Sequence, residues 1–311
     1  MTIRLDWDTA TRTTWQELLG RSRSGLQQGW SYGEALRRGG MRVERGIARD
    51  RHGGAWACAQ VVERRLVGAL GAAFLLRGPV SLASDEGPST DATILAAIRH
   101  RIHRRTLVWA PESPPAIHRR PIITGHGTSW LDLATGLEIL RRRLASDWRH
   151  RFKQAEAGGL MVRRLDDARA ATWLLDRNEA YRHEVGYRGP SRAFLGGLAE
   201  AARDAGELML LVAFARGEPV AGVMLIRHGI SATYEVGHVT PEGRQLQATH
   251  LLLWRGIERL IEDGVRWLDL GGVATDRSPG IARFKLGMGG EVAILPGTFL
   301  VRGSRYDRPG S

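Results

Sequence analysis

Hydrophobic and polar positions along the chain follow one order twice. From Arg42, the run RVERGIARDRHGGAWACAQVVERRLVGALGAAFLLRGPVSL reads as strands separated by turn signals at DRHGG and ERR. A helix follows over Asp91–Arg105, and then a short strand over Thr106–Glu112. The second half repeats the plan. It has three strands within Glu207–Val239 with turns at ARGEP and RHG, a helix over Gln247–Gly264 that stops on glycine, and a strand over Val265–Gly272. The two helices and the two closing strands stand at nearly equal offsets, so the pattern predicts two duplicated α/β units with mixed, mainly antiparallel sheets. Each half also opens with helices: TTWQELLGRS and SYGEALRRGG in the first, ATWLLDRNEAYRHEV and SRAFLGGLAEAARDAG in the second. Gly136–Gly159 reads as one long helix feeding the second unit, and Glu291–Val301 as a terminal strand returning to the first. The expected boundaries are 1–145 for the first unit, completed by 291–311, and 146–290 for the second.

Composition changes this picture in only a few places. At 311 residues, 43% hydrophobic and 25% charged, the chain has material for two cores. The stretch MTIRLDWDTATRTTWQ has no apolar segment of the kind a secretory signal carries, and the apolar run Leu208–Ala215 is too short to span a bilayer. The single cysteine, Cys58, rules out an intrachain disulfide and sits in the apolar stretch AWACAQVV, where it reads as a buried thiol. These features lead us to expect a cytoplasmic monomer.

The formal charge of +12 invites an anionic partner such as nucleic acid, a phosphorylated substrate or a membrane face, although an arginine-rich composition has the same effect. The clusters Arg99–Arg105 and Arg141–Lys153 interleave Leu, Ile and Trp at helical spacing and read as solvated helix faces. The ten histidines show no metal-ligand spacing, and no serine or cysteine triad stands out, so neither a metal nor covalent catalysis is expected.

Helix, antiparallel strands, then strand–loop–helix–strand is the order of the GNAT acyltransferase fold. In acyl-CoA enzymes of that fold, a glycine-rich loop before the helix lets backbone N–H groups approach a pyrophosphate. The equivalent place here reads VTPEGRQLQATHLL, with Gln247 and Thr249 where that pattern has small residues. A literal match, RSPGIA at Arg277–Ala282, follows the wrong strand for coenzyme A.

A GNAT-like plan occurring twice without this loop resembles the Fem aminoacyltransferase family. The early helix QQGWSYGEALRRGG (Gln27–Gly40), the stretch TSWLDLATGLEILRRRLASDWRHRFKQAEAGGL (Thr128–Leu160) and the pair GVRWLDLGGV and GIARFKLGMGG carry the resemblance, the last most specifically. The resemblance covers nearly the whole chain. It implies two tandem GNAT-like domains, the second carrying the F-K motif, that move an amino acid from aminoacyl-tRNA to an amine acceptor. That acceptor is a peptidoglycan precursor peptide or a small metabolite or peptide, possibly phosphorylated. Aminoacyl-tRNA is then a co-substrate and no cofactor is needed. Two readings stand beside it: an acyl-CoA-dependent N-acyltransferase of the same fold, and a basic RNA-binding protein without catalysis. The family's phosphate-binding lysine in the early helix aligns with Leu36 here, followed by Arg37 and Arg38, either of which could take its place. The long heptad-rich insertion of some members is absent.

An aminoacyl ester is already activated, so the enzyme need only position an amine and stabilise an oxyanion. The resemblance assigns that stabilising role to Lys285. Only two of the 45 Lys and Arg residues are lysines, Lys153 and Lys285, which sets this position apart from a plain helix-end charge. Ser278 and Pro279 predict the start of a short helix that Gly287 ends. Phe284 reads as a substrate contact or as core, Arg283 as a phosphate ligand or a surface charge, and Lys153 as solvated. Asp269 is either a base or a cap on the following glycine turn. Tyr234, Trp30 and Tyr32 are groove aromatics or core.

Overall fold

The structure is a computed structural model that describes residues 5–65, 71–82, 88–102, 106–115, 120–186, 189–274 and 278–301. The chain forms two compact units: 1–126 with 294–311, and 127–293. The first contains β1 (Leu5–Trp7), α1 (Arg12–Leu19), α2 (Trp30–Arg38), β2 (Arg42–Arg49), β3 (Ala55–Arg65), β4 (Gly71–Leu76), β5 (Val80–Ser81), α3 (Pro88–Ile102), β6 (Thr106–Ala110) and β7 (Ile123–Thr124). The second contains β8 (Gly127–Asp132), α4 (Leu137–Arg143), α5 (Ser146–Ala157), β9 (Met161–Arg164), α6 (Ala168–Val185), α7 (Arg192–Asp204), β10 (Leu208–Ala215), β11 (Glu218–His228), β12 (Ser231–Val239), α8 (Pro241–Gln245), α9 (Ala248–Glu262), β13 (Trp267–Gly272), α10 (Pro279–Leu286) and β14 (Glu291–Ile294). The last strand, β15 (Gly297–Val301), lies in the first unit.

The first sheet runs β1-β2-β3-β4-β6-β15-β7 with β5 on β3, and the second runs β14-β8-β13-β12-β11-β10-β9. Each sheet contains one parallel pair joined through a helix, β4 with β6 by way of α3 and β12 with β13 by way of α9. Each crossover strand is flanked on its other side by an antiparallel strand, β15 beside β6 and β8 beside β13. This gives both units a GNAT-like topology.

Three sequence expectations need correction. The segment 127–145 lies in the second unit rather than the first, because β8 pairs with β13 in register Leu131↔Leu268. The long helix over Gly136–Gly159 is two helices. Leu144 and Ala145 take extended ψ angles of 137° and 149°, and the Ala145 N–H donates to the Gly287 carbonyl at 2.9 Å instead of joining a helical ladder. The terminal segment Glu291–Val301 is two strands, with β14 beside β8 and β15 beside β6. It breaks where Pro296 has no N–H to offer and Gly297 takes φ +107°.

Helices cover both faces of the second sheet, which explains the unbroken apolar run of β10. Met209, Leu211 and Ala213 join the core formed with α5 and α9, and Leu208, Leu210 and Val212 are buried on the other face. In the first unit the early helix is held by buried polar groups. Gln28 accepts from Gln60 N at 2.7 Å and donates to the Leu76 carbonyl at 2.7 Å. Arg45, 2% exposed, bonds Gln60 Oε1 at 2.8 Å, Glu34 at 3.0 Å and the Trp30 carbonyl at 3.1 Å, and it stacks 3.7 Å from the Trp30 ring. Burial and the charge of Arg37 pull its pKa down to about 10.

Removing one member of a buried charged network strands its partners, at about 3–5 kcal/mol. Arg45→Ala should therefore destabilise the protein by about that amount in urea unfolding. A loss under about 1 kcal/mol would show that Glu34 and Gln60 find water in place of the guanidinium.

Candidate active site

The second unit carries an open cavity of about 670 Å³ at the C-terminal end of the parallel pair β12–β13. That ladder is short: Ser231↔Trp267, Ala232↔Leu268 and Thr233↔Asp269. Just beyond it, β12 slips against β11, so that Leu225 faces Tyr234 while Met224 faces Val236. Glu235 is the extra residue of this bulge, and a bulge re-aims side chains and ends pairing. Tyr234, Gly237 and His238 of β12, the start of α9, α5 and α10 form the wall. A Cβ at Gly237 would fall on the Tyr234 hydroxyl, so the glycine lets that side chain keep its place.

Lys285 enters this cavity from α10. As expected, α10 begins at Pro279 and ends at Gly287, but Ser278 takes φ −146° and makes no side-chain cap. Of the RSPGIA stretch, Arg277 lies outside the described residues. The half-buried Lys285 donates from Nζ to the Gly272 carbonyl at the end of β13, at 3.1 Å. Burial lowers its pKa, while the charges of Asp269 and Glu235 raise it. Glu235 is pushed up to about 7, first by burial, then by Asp269, against the pull of Lys285. Asp269 is fully buried, and its Oδ1 accepts from Thr128 Oγ1 at 2.6 Å and from the Gly271 N–H at 2.8 Å. It closes the glycine turn, the second of its two sequence readings.

The glycines after Lys285 are the imprint of what presses on them. Gly289 takes φ +77°, and a Cβ there would collide with the Arg143 carbonyl oxygen at the end of α4. A Cβ at Gly290 would lie 2.8 Å from the Trp130 carbonyl oxygen of β8. With the Ala145–Gly287 bond, these contacts tie the loop after Lys285 to the end of α4, the α4–α5 elbow and β8.

The wall beside Lys285 is aromatic. His250 lies edge-on to Trp148 and Phe284, each with a ring centroid 4.9 Å away, and it is 8% exposed. Burial and then the charge of Arg151 press His250 down to about 4, so the imidazole is neutral. Charges at the wall are mostly positive: Arg151, Arg244, Arg283 and Lys285 against Asp147. Arg151 and Arg283 lean toward Asp147 at 3.1 and 3.9 Å. Where a glycine loop would cradle pyrophosphate, the chain instead forms the helical turn α8, and Gln247 enters α9 in the left-handed conformation at φ +55°.

Four residues proposed from sequence, Lys285, Phe284, Arg283 and Tyr234, therefore line one cavity. Phe284 and Tyr234 also pack against the core beside it. Trp30, Tyr32 and Arg37 lie on α2 of the first unit, outside that wall. There Trp30 supports Arg45, while Arg37 bonds Glu34 and the Val43 carbonyl. Glu235, His250, Trp148 and Arg244 escaped the sequence reading. An acid in the apolar strand SATYEVGHV was the signal for Glu235, and one histidine at the start of a leucine-rich helix was the signal for His250. Among the described residues no cluster of His, Cys, Asp or Glu could hold a metal, and no helix is long and apolar enough to cross a membrane. Cys58 is buried, its thiol pushed up to about 12.

Residues 141–286 match the family model of the acetyltransferase (GNAT) domain, so the second unit has the GNAT acyltransferase fold. No curated protein matches the sequence. Among solved structures, FemX is similar over 95% of this chain and 96% of its own, with TM-score 0.78 and 12% identity. A tandem GNAT protein from the clavulanic acid biosynthesis pathway is similar over 96% and 98%, with TM-score 0.53 and 16% identity. L-PGS from Bacillus licheniformis is similar over 96% and 92%, with TM-score 0.53 and 12% identity. The chain thus has a tandem GNAT fold of the kind seen in FemX.

The depressed pKa of His250 has a thermodynamic consequence. A histidine bound neutral in the fold gives stability that is present above its ordinary 6.5 and is lost as pH falls toward about 4. The loss should approach about 3 kcal/mol. His250→Phe keeps a ring in the stack and should flatten the stability profile between these pH values, read as the difference from wild type in urea unfolding. Parallel profiles would show that the imidazole is solvated.

Proposed function

We propose that this chain transfers an aminoacyl group from aminoacyl-tRNA to an amine acceptor, forming an amide. The observation that carries this reading is Lys285, a half-buried lysine in an arginine-rich chain, set at the cavity where β12 and β13 cease to pair. The acceptor amine attacks the ester carbonyl, the carbonyl oxygen takes up negative charge, and the bond to the ribose oxygen then breaks. One proton leaves the amine and one reaches the ribose oxygen. Lys285 stabilises the developing oxyanion or the terminal phosphate of the donor, and Phe284 and Tyr234 wall the cavity in which the ester lies. Arg151, Arg244 and Arg283 suit a polyanionic donor. The fold shared with FemX and L-PGS supports aminoacyl chemistry, and the resemblance to the Fem family supplies the donor. The acceptor is a peptidoglycan precursor peptide or a small metabolite or peptide. Trp30, Tyr32 and Arg37 remain candidates for contacting it, and a cytoplasmic monomer is the setting this reading implies.

A second reading is acyl transfer from acyl-CoA, favoured by the GNAT family match and by an α9 N-terminus, free of side-chain capping, at the cavity wall. Against it stands α8, which occupies the place of a pyrophosphate loop.

The two donors predict different binding. Charged tRNA should bind with an affinity whose logarithm falls roughly linearly with log salt, and acetyl-CoA should show no measurable affinity by calorimetry. Micromolar acetyl-CoA binding would replace the tRNA reading with the acyl-CoA one.

Loss of one oxyanion-stabilising contact costs about 10²–10³ in kcat, or roughly 3–4 kcal/mol. In single-turnover transfer from charged tRNA, Lys285→Ala should lose about that factor with its melting temperature unchanged. Lys285→Arg should recover part of the rate, because a planar guanidinium restores charge but not geometry. Transfer by Lys285→Ala near the wild-type rate would leave Lys285 as a helix-end charge.

A further inference from the structure

We propose that Glu235 is a positioning residue that acts through Lys285, holding its ammonium charged at the opening between β12 and β13, and that it does not touch the acceptor. The inference rests on the catalytic role proposed for Lys285. Glu235 is the bulged residue of β12, two residues beyond Thr233, where the parallel ladder ends, and it is not part of the cavity wall to which Tyr234, Gly237 and His238 belong. Across the ladder, Leu268 and Leu270 face the core under α9, so alternation places Asp269 between them on the opposite face of the sheet. A Cβ on Gly271 would stand 3.3 Å from Lys285 Nζ and 3.9 Å from the Tyr234 carbonyl oxygen, so the ammonium lies beside the stretch of β12 that leads into Glu235, next to the turn that Asp269 braces.

The two acids are not equivalent. Asp269 is committed to Thr128 Oγ1 and the Gly271 N–H, which fix the turn at the end of β13. Glu235 has no such structural bond among the described contacts, and its charge is coupled to Lys285 and Asp269. The other charged or titratable groups near Lys285 do not replace it. On α10, Arg283 is 83% exposed and leans toward Asp147 of α5. Arg151 of α5 pairs with the same Asp147, and His250 of α9 is neutral. Tyr234 of β12 stays protonated, pushed up to about 12 by burial. Burial works against the Lys285 ammonium, and Asp269 and Glu235 oppose it. Removing the Glu235 charge should therefore make Lys285 lose its proton at lower pH, since an opposite charge at close range favours the charged form.

The chain provides its own probe. With only Lys153 and Lys285 present, protein grown with isotope-labelled lysine gives two side-chain signals in NMR, and Lys153 is an exposed internal control. In the full chain, Glu235→Gln should move the Lys285 titration midpoint to lower pH and leave that of Lys153 in place. Glu235→Asp, which keeps the charge, should restore most of the wild-type midpoint. In transfer assays the alkaline limb of the rate profile of Glu235→Gln should shift the same way, with a rate loss on the order of tenfold on that limb.

A Lys285 midpoint that is the same in wild type and Glu235→Gln overturns the proposal. So does a Glu235→Gln variant that is inactive at every pH with Lys285 unshifted, the behaviour of a base acting directly on the acceptor. Because the NMR titration needs no substrate, its result is separate from the donor reading. A shifted midpoint together with full activity of Lys285→Ala would uphold the coupling and reject the catalytic lysine.

Discussion

The parallel pairing of β12 with β13 ends after three residue pairs, and the site depends on that early end. Continued pairing would have sealed the backbone where the cavity lies and left Lys285 no carbonyl to reach. Two devices end it. The bulge at Glu235 breaks the alternation of β12, and Gly271 at φ +78°, braced by Asp269, turns β13 aside. Backbone groups released by this divergence need partners. One of them, the Gly272 carbonyl, accepts from Lys285, so the same opening that makes room for a substrate also anchors the proposed catalytic side chain.

That anchoring depends on packing well away from the cavity. The glycine-rich loop after α10 lies against the end of α4, two residues before Ala145 at the elbow, and against Trp130 of β8. The same elbow begins α5, whose Trp148 meets His250 and Phe284. Aromatic contacts of this kind add about 0.5–1.5 kcal/mol beyond the area they bury, enough to define one orientation for Phe284. Lys285 follows Phe284 in a helix of eight residues, so its backbone position is set from both sides. Flexibility is left to the lysine stem alone.

Legibility in the sequence followed the physics of each element. The repeated strand–helix–strand order was plain because α9 and β10 bury nearly whole apolar faces, a signal that composition and spacing carry directly. Lys285, Phe284 and Arg283 were legible because a motif marked them, while Tyr234 stood out separately, as an aromatic on the long strand, and only the fold brings the four together. The elbow at Leu144–Ala145 was not, since both flanking segments have helical spacing and the break is set by a bond to Gly287, distant in sequence. Glu235 was hidden for a related reason. Its meaning comes from a register slip against β11, which no pattern along a single strand reveals. Trp30, read as groove aromatic or core, and Arg37, read as a replacement for a phosphate-binding lysine, both take part in the network around Arg45.

The choice of lysine at position 285 can be argued from that surrounding. A guanidinium is broad, planar and effectively always charged, and it is best satisfied by a carboxylate that matches its fork. In this chain such forks are filled where stability is needed, as by Glu112 at Arg77 and by Glu44 at Arg101. At the end of β13 the available partner is one carbonyl oxygen, and a Cβ on Gly271 would stand only 3.3 Å from Nζ. A compact ammonium fits that space with one bond to the protein and donors left for a developing oxyanion. It is also the basic group whose charge responds to nearby acids, which gives the buried Asp269 and the half-buried Glu235 a chemical purpose that an arginine would not use.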